Sequence, residues 1–191
     1  MNIFRSPLIL LIYFLTTLNC IPNNKNISIN LSTEKSIDID FYLNEINFSE
    51  FQYRDINYTK ILLEGFNESK DIGNPNLPVL NKLIEIPENG KFEINIYDNE
   101  YKLYNLDDIG YKDMIFPSQR SISKGENSEN VAFSFNQKTY NNDSFYSQDL
   151  VKIEILGKMR GKTIARVQIS PISYNPVKND LIVCEKFKFR I

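Results

Sequence analysis

The sequence contains no histidine and no tryptophan, and only two cysteines, Cys20 and Cys184. Without histidine there is no Ser–His or Cys–His catalytic pair, no usual proton shuttle near neutral pH, and no imidazole ligand for a metal ion. Catalysis by carboxylates alone, as in glycoside hydrolysis, is the enzymatic route that this inventory leaves open. No constellation of Asp and Glu stands out, so a glycosidase is kept only as a third alternative. We expect a chain that performs no catalysis itself and binds no metal or cofactor.

A large excess of positive or negative charge is also missing, and so are long charged runs. The formal net charge is −2, from 22 Lys and Arg against 24 Asp and Glu, and these residues are interspersed along the chain. Nucleic-acid binding needs a concentrated basic surface, so we expect no nucleic-acid partner. Asp107, Asp108 and Asp113 lie close together in the sequence, but their spacing is not that of a calcium-binding loop.

The long apolar run of a membrane-spanning helix is absent as well. Residues 1–20 have a basic residue followed by a short apolar core at 8–15, which is typical of an export signal and too short to span a bilayer. Cys20 ends this segment and opens a polar tether over residues 21–36. Cys20 is therefore a candidate for lipid attachment, with simple cleavage of the signal as the alternative. We expect an exported protein, extracellular, periplasmic or at the cell surface, that meets a membrane only through such an anchor.

Cys184 has no disulfide partner if Cys20 is lipidated or removed. It follows the apolar residues Leu181, Ile182 and Val183. A cysteine in such a run behaves as a small hydrophobic side chain, so we expect Cys184 to be a buried core residue rather than a reactive thiol.

The chain does contain strand patterning over residues 37–191. Hydrophobic residues make up 42% of the 191-residue chain, including 13 Phe and 11 Tyr, which is enough for one core. Apolar and polar residues alternate with the period of a half-buried strand in segments 37–43, 151–155, 165–169 and 181–191. No amphipathic helix of convincing length is present. The pattern predicts one all-β domain at 37–191, an antiparallel β-sandwich that is jelly-roll-like or Greek-key.

Residues 73–101 predict a β-hairpin. Gly73, Pro75 and Pro78 fix an extended approach, and an apolar run at 79–86 follows. Turn residues occupy 87–90, and the next segment alternates Phe92, Ile94 and Ile96 with polar residues. We expect the two strands to pair, with these three apolar side chains buried on one face.

The least structured stretch is the polar segment SQRSISKGENSEN at residues 118–130. It lacks periodicity and carries Arg120 and Lys124. A solvated loop is the simplest interpretation, and functional residues are often found on such loops. Val131, Phe133 and Phe135 then predict that a strand resumes.

Several motifs together resemble one known family. The segment GNPNLPVL resembles the G-x-P-x-L-P signature in the N-terminal propeptide of the gingipain-type cysteine endopeptidases, peptidase family C25. The likeness continues in register through IFPSQRSISKGEN (115–127), FYS (145–147), Arg160-Gly161 and ISPISYNPVKNDLIV (169–183). The motif residues are Gly73, Pro75, Leu77, Pro78, Pro117, Tyr174, Asn175 and Pro176. The chain departs from the family at Ser147, where proline is usual.

The resemblance implies a role and a partner. Such propeptides fold as β-sandwiches, assist the folding of the peptidase that follows, and keep it latent until they are cut away. A basic residue in the loop after the Pro-Ser motif occupies the specificity pocket of the peptidase. In this sequence that position falls on Lys124, with Arg120 as the alternative, and a plain solvated lysine is the simpler interpretation. The expected partner is a C25-type catalytic domain, in cis or in trans.

An alternative to this role comes from the residues themselves. The catalytic Cys and His of the family belong to the downstream peptidase, and nothing in this sequence matches them. A surface lipoprotein with a β-sandwich binding or adhesion module would also account for Cys20 and the polar tether.

Overall fold

The structure, a computed structural model, describes residues 26–33, 36–87, 92–126 and 131–191. The predicted signal segment and Cys20 lie outside the described residues. The strands are β1 (Ile27–Ser32), β2 (Ile37–Tyr42), β3 (Asn47–Tyr53), β4 (Ile56–Leu62), β5 (Leu80–Ile86), β6 (Asn95–Asn105), β7 (Val151–Met159), β8 (Lys162–Ile169), β9 (Ile172–Asn175) and β10 (Asp180–Arg190). A short helix, α1 (Gln137–Tyr140), lies between β6 and β7.

The first sheet has the order β1-β2-β10-β6, and β9 pairs with the first residues of β10. All of these pairings are antiparallel. In β10, Phe187 and Phe189 are fully buried, whereas Lys186 and Lys188 lie on the other face. This is the alternation that the sequence predicts, because successive side chains of a strand point to opposite faces.

The second sheet, β5-β8-β7, is also antiparallel and packs against the first. One core contains Phe41 and Phe187 from the first sheet together with Leu80, Val167 and Ile169 from the second. The rings of Phe41 and Phe187 lie 4.9 Å apart at this interface. Two antiparallel sheets facing each other across an apolar layer form a β-sandwich, so the predicted fold class is confirmed.

The third sheet is the β3–β4 hairpin. Its turn residues, Arg54 and Asp55, both have positive φ, 49° and 63°, as in the tight turns that match strand twist. A second core joins this hairpin to the first sheet, since Ile61 of β4 clusters with Tyr174 and Leu181. The hairpin therefore covers one end of the sandwich.

The predicted hairpin at residues 73–101 is wrong. β5 pairs with β8 in the second sheet, and β6 pairs with β10 in the first. Phe92 and Ile96 are each 40% exposed rather than buried. Periodicity identifies a strand but does not select its partner. Here each strand pairs with a segment that is distant in the sequence.

Asp38 and Asp40 lie on the outer face of β2, opposite Arg190 and Lys188 of β10. The alternation of the strand places both aspartates on the face away from the core. They are nevertheless only 7% and 9% exposed. Arg190 contacts the Asp38 carboxylate, and the Tyr42 hydroxyl donates to Asp40 at 3.2 Å.

Candidate functional site

The loop that carries Arg120 and Lys124 begins at a tightly bound segment. Ser118 N–H donates to the carbonyl of Asn74, and Gly73 N–H donates to the carbonyl of Ser118, both at 2.8 Å. Pro75 and Pro117 form an isolated antiparallel bridge beside them. Two of the motifs noted in the sequence, one around Gly73 and one around Pro117, therefore meet at the start of the loop.

The motif around Tyr174 also contacts the segment that leads into the loop. Tyr174 is fully buried and its hydroxyl accepts a hydrogen bond from Ile115 N–H at 3.4 Å. The Ile115 carbonyl accepts a 2.6 Å hydrogen bond from the hydroxyl of Tyr140. Tyr146 and Tyr174 exchange backbone hydrogen bonds of 2.8 and 2.9 Å. The fold thus gathers the separate motifs around the segment that leads into the loop.

Asn175 and Pro176 stabilise a turn rather than a site. The Asn175 side-chain oxygen accepts hydrogen bonds from the backbone N–H groups of Val177 and Lys178 at 3.0 and 3.2 Å. Its amide donates to Asp143 at 2.8 Å. An asparagine that caps the following backbone in this way is a common turn device. Leu77 and Pro78 are buried in the extended approach to β5.

The two sides of the loop are joined by Gln119. Its amide nitrogen donates to the Ser134 carbonyl at 2.8 Å, and its amide oxygen accepts from Ser134 N–H at 2.9 Å. This reciprocal pair holds the outgoing chain beside the returning chain. The loop therefore projects from a fixed base.

Stacked aromatic rings support that base. Tyr53 stacks on Phe133 at 5.1 Å, Phe133 on Phe135 at 6.4 Å, and Phe135 on Tyr140 at 4.4 Å between ring centroids. Arg54 donates to the Val131 carbonyl at 3.0 Å. The strand predicted at residues 131–135 is wrong, because this segment has no ladder partner and is held instead by ring stacking.

Within the loop, Arg120 is bound to Glu126. Its two terminal nitrogens reach the two carboxylate oxygens, with Nη1 at 3.0 Å from Oε2. The hydrogen bond from Arg120 lowers the pKa of the Glu126 carboxyl, and the pKa of Arg120 is raised in return. This bidentate geometry is the strongest form of the Arg–carboxylate pair. The structure thus assigns Arg120 a partner inside its own loop.

Lys124 lies inside a closed turn at residues 123–126. Glu126 N–H donates to the Ser123 carbonyl at 3.0 Å, and Gly125 has a φ of +96°. A negative φ at the second residue and a positive φ at the third are the pattern of a type II turn, which favours glycine at the third position. Lys124 is exposed, and its ammonium has no hydrogen bond or ion pair with the residues that the structure describes.

The two basic candidates are therefore not equivalent. Arg120 is held along the loop by a carboxylate, whereas Lys124 projects into solvent from a turn. Sequence reasoning missed Glu126, the residue that makes this difference. The signal that could have indicated it is an acidic residue near the far end of a polar loop that begins with an arginine.

The remaining titratable groups do not form a second centre. No group of three or more His, Cys, Asp or Glu that could hold a metal ion occurs in the part of the chain that is described. Asp107 accepts a 2.6 Å hydrogen bond from Asn179 and is thus used in packing. Cys184 is 1% exposed, as predicted, and burial raises the pKa of its thiol to about 11. None of the helices in the described ranges is long and apolar enough to cross a membrane.

Comparison with known proteins assigns the chain to a family. The family model Propeptide_C25 matches residues 19–191. Lys-gingipain of Porphyromonas gingivalis is 28% identical over 157 residues, which is 82% of this chain and 9% of the relative, and the HG66 form gives the same values. The chain thus spans about a tenth of the length of these relatives.

Solved structures agree with that assignment. A structure of gingipain K from Porphyromonas gingivalis, solved to explain its zymogenic latency, superposes with a TM-score of 0.80 at 27% identity, covering 86% of this chain and 90% of that one. A complex of the pro- and mature domains of RgpB from the same organism shares the fold, with a TM-score of 0.74 at 18% identity and coverage of 87% and 84%. This chain belongs to the C25 propeptide family, the pro-regions of the gingipain-type peptidases.

Proposed function

We propose that this chain is an exported pro-region that keeps a C25-type cysteine endopeptidase latent and assists its folding, and that it has no catalytic activity of its own. Family membership and the likeness to the gingipain K structure support this role. The observation that carries the proposal is the position of Lys124, an exposed cation in a turn of a loop with a fixed base, which has no ion pair with the described residues.

Lys124 would act by entering the specificity pocket of the peptidase. A lysine ammonium that leaves water needs a carboxylate inside the pocket, because an unpaired buried charge is costly. Removing one partner of such a buried pair costs about 2–5 kcal/mol, which is about 30-fold to several-thousand-fold in the dissociation constant.

Arg120 is poorly placed for the same task. Its guanidinium would have to give up both hydrogen bonds to Glu126 before it could enter a pocket. The hydrogen bonds between Gln119 and Ser134 also hold the base of the loop before binding, which lowers the entropy cost of ordering it on the peptidase. The geometry therefore favours Lys124 over Arg120 as the inhibitory residue.

Inhibition by the chain without its signal segment tests this assignment. The C25 peptidase domain of the same organism is titrated with the unchanged protein, with Lys124→Ala, and with Arg120→Ala as the matched control. We expect Lys124→Ala to weaken initial inhibition at least 30-fold and Arg120→Ala to change it less than about threefold. A folded domain that does not bind the peptidase at micromolar concentration would overturn the proposal.

Assistance with folding follows from the same binding. A partner that binds the native peptidase and not its unfolded chain shifts the folding equilibrium toward the native state. Refolding the catalytic domain with and without this chain measures that effect. An unchanged yield of active peptidase, after the pro-region is cut away, would contradict the folding role.

A surface lipoprotein that binds or adheres through this β-sandwich is the second candidate. The observation that favours it is Cys20 at the end of an apolar leader. Mass spectrometry of the protein isolated from its native cells distinguishes the two forms. Diacylglycerol on Cys20, without inhibition of the peptidase, would favour the lipoprotein.

A further inference from the structure

The peptide bond that follows Lys124 lies in a closed turn in which Gly125 has a φ of +96°. We propose that Arg120 and Glu126 are positioning residues that keep the Lys124–Gly125 peptide in its closed turn, so that the loop inhibits the peptidase instead of serving as its substrate. This inference rests on the proposed function, because it requires Lys124 to enter the specificity pocket.

The first step of the argument is backbone geometry. Peptides that bind along a cleft by strand addition do so in an extended conformation, for which φ lies near −120 to −140°. Gly125, the residue after Lys124, instead has a φ of +96°. The chain that follows the Lys124–Gly125 bond thus turns away from the extended path that a substrate takes along a cleft, and the bond is not presented as in an extended substrate.

The second step is the device that keeps the turn closed. One oxygen of Glu126 accepts a hydrogen bond from Ser123 N–H at 3.2 Å and also from Arg120. Glu126 N–H donates back to the Ser123 carbonyl at 3.0 Å. Lys124 and Gly125 thus lie between Ser123 and Glu126, which are joined to each other by these two hydrogen bonds. Because residues 120–126 are all exposed, these polar contacts, and not packing, hold the turn.

The third step is the chemistry that the turn delays. In a cysteine peptidase the thiolate attacks the Lys124 carbonyl carbon, and the C–N bond breaks as the Gly125 nitrogen takes a proton and leaves. Water then hydrolyses the thioester, which gives a carboxylate on Lys124 and regenerates the thiol. An opened turn would place Lys124 in the specificity pocket with this bond available for attack. Cleavage there would end inhibition.

The test separates initial inhibition from cleavage. Mature peptidase of the same organism is mixed with the unchanged chain and with Glu126→Gln, Arg120→Ala and Arg120→Lys. Initial inhibition constants are measured within seconds, and new termini at Lys124 and Gly125 are followed by mass spectrometry. Glu50→Gln, the same substitution at an exposed carboxylate of β3, is the matched control.

We expect Glu126→Gln and Arg120→Ala to inhibit within about threefold of the unchanged chain at first, and then to be cut after Lys124 at least tenfold faster. Arg120→Lys keeps the charge but not the two-pronged geometry, so its cleavage rate should fall between those of Arg120→Ala and the unchanged chain. Glu50→Gln should behave as the unchanged chain. A residue that merely stabilised the domain would not raise the rate of cleavage at this one bond.

Gly125→Ala provides an independent variant. A Cβ on Gly125 would meet nothing within 4 Å, but the positive φ disfavours any side chain. The turn should therefore open without loss of the domain fold, and cleavage after Lys124 should accelerate. Unchanged cleavage in Glu126→Gln and Gly125→Ala, with inhibition still dependent on Lys124, would overturn this inference and leave the proposed function intact. If the unchanged chain does not inhibit at all, both are overturned.

Discussion

Arg190, on the last strand, donates two hydrogen bonds to Asp38 on β2, with Nε 2.6 Å from Oδ1 and Nη2 2.9 Å from Oδ2. The hydroxyl of Tyr97 on β6 donates to the same carboxylate at 3.4 Å. One aspartate thus joins three strands of the first sheet. The hydrogen bond from Arg190 is the main reason why the pKa of Asp38 lies below its ordinary value.

Arg190→Ala should lower the thermal stability, because it removes two hydrogen bonds and the countercharge from Asp38. The folded-state pKa of Asp38 is depressed, so its stabilising contribution is present above the unfolded pKa of about 3.9 and is lost as the pH falls through the folded value. The difference in Tm between the unchanged protein and Arg190→Ala should therefore be larger at pH 6 than at pH 2. Lys188→Ala, which breaks an ion pair with the more exposed Asp98, is the control and should have a smaller effect. Equal differences at both pH values would contradict the expectation.

Gly73→Ala should destabilise the domain more than Gly65→Ala. Both glycines have a similar positive φ, +85° and +82°, so both substitutions carry a backbone strain of about 1–2 kcal/mol. A Cβ on Gly73 would also lie 3.3 Å from Asn136 N, whereas one on Gly65 would meet nothing within 4 Å. Crowding of this kind adds about 1–3 kcal/mol. Urea unfolding of the two variants measures the difference, and equal losses would show that the contact with the returning loop segment does not matter.

Tyr140→Phe should cost about 1–3 kcal/mol of the free energy of unfolding, because it leaves the buried Ile115 carbonyl without its 2.6 Å hydrogen bond. The ring itself stays and can keep its stacking on Phe135. Tyr101→Phe removes a hydroxyl from a residue that is 58% exposed and should change stability by less than about 0.5 kcal/mol. Chemical denaturation with an unchanged m-value is the measurement. Similar effects in the two variants would argue against the buried hydrogen bond.

The thiol of Cys184 should resist iodoacetamide at pH 8 in the folded protein and react after unfolding in urea. It is 1% exposed, and burial raises its pKa to about 11. Because the folded-state pKa is raised, the associated stability is complete below the unfolded pKa of about 8.5 and declines as the pH rises toward 11. Ser123→Cys, at an exposed loop position, should be modified in the folded state. Rapid native-state modification of Cys184 would show that this part of the core opens readily.

The sequence predicted the positions of the strands better than it predicted which strands pair. The alternation at 37–43 and 181–191 corresponds to β2 and β10, because the period of two depends only on local backbone geometry. The same reasoning paired β5 with β6, although these strands belong to different sheets. Nearness in the chain favours a hairpin, but the pairing that wins is the one that buries more apolar surface and satisfies more backbone groups.

The candidate site shows the same division. The sequence indicated a polar loop with two cations, and the family resemblance put Lys124 first, with Arg120 as the alternative. The structural reason to prefer Lys124 is Glu126, whose carboxylate reaches Arg120 because the chain reverses in the turn at residues 123–126. A contact between two exposed side chains does not produce a periodic pattern in the sequence, so the sequence does not predict it.

By itself, the amino-acid sequence determined the all-β class, the strand periods, the turns at glycine, proline and asparagine, and the family to which the chain belongs. These properties rest on local conformational preference and on motif order. Only the tertiary structure decided which strands pair, that the motifs around Gly73, Pro117 and Tyr174 converge at one loop base, and that Arg120 is paired with Glu126 whereas Lys124 has no partner among the described residues. The physical reason is that hydrogen bonds and ion pairs between distant residues exist only once the two sheets have closed on a common core.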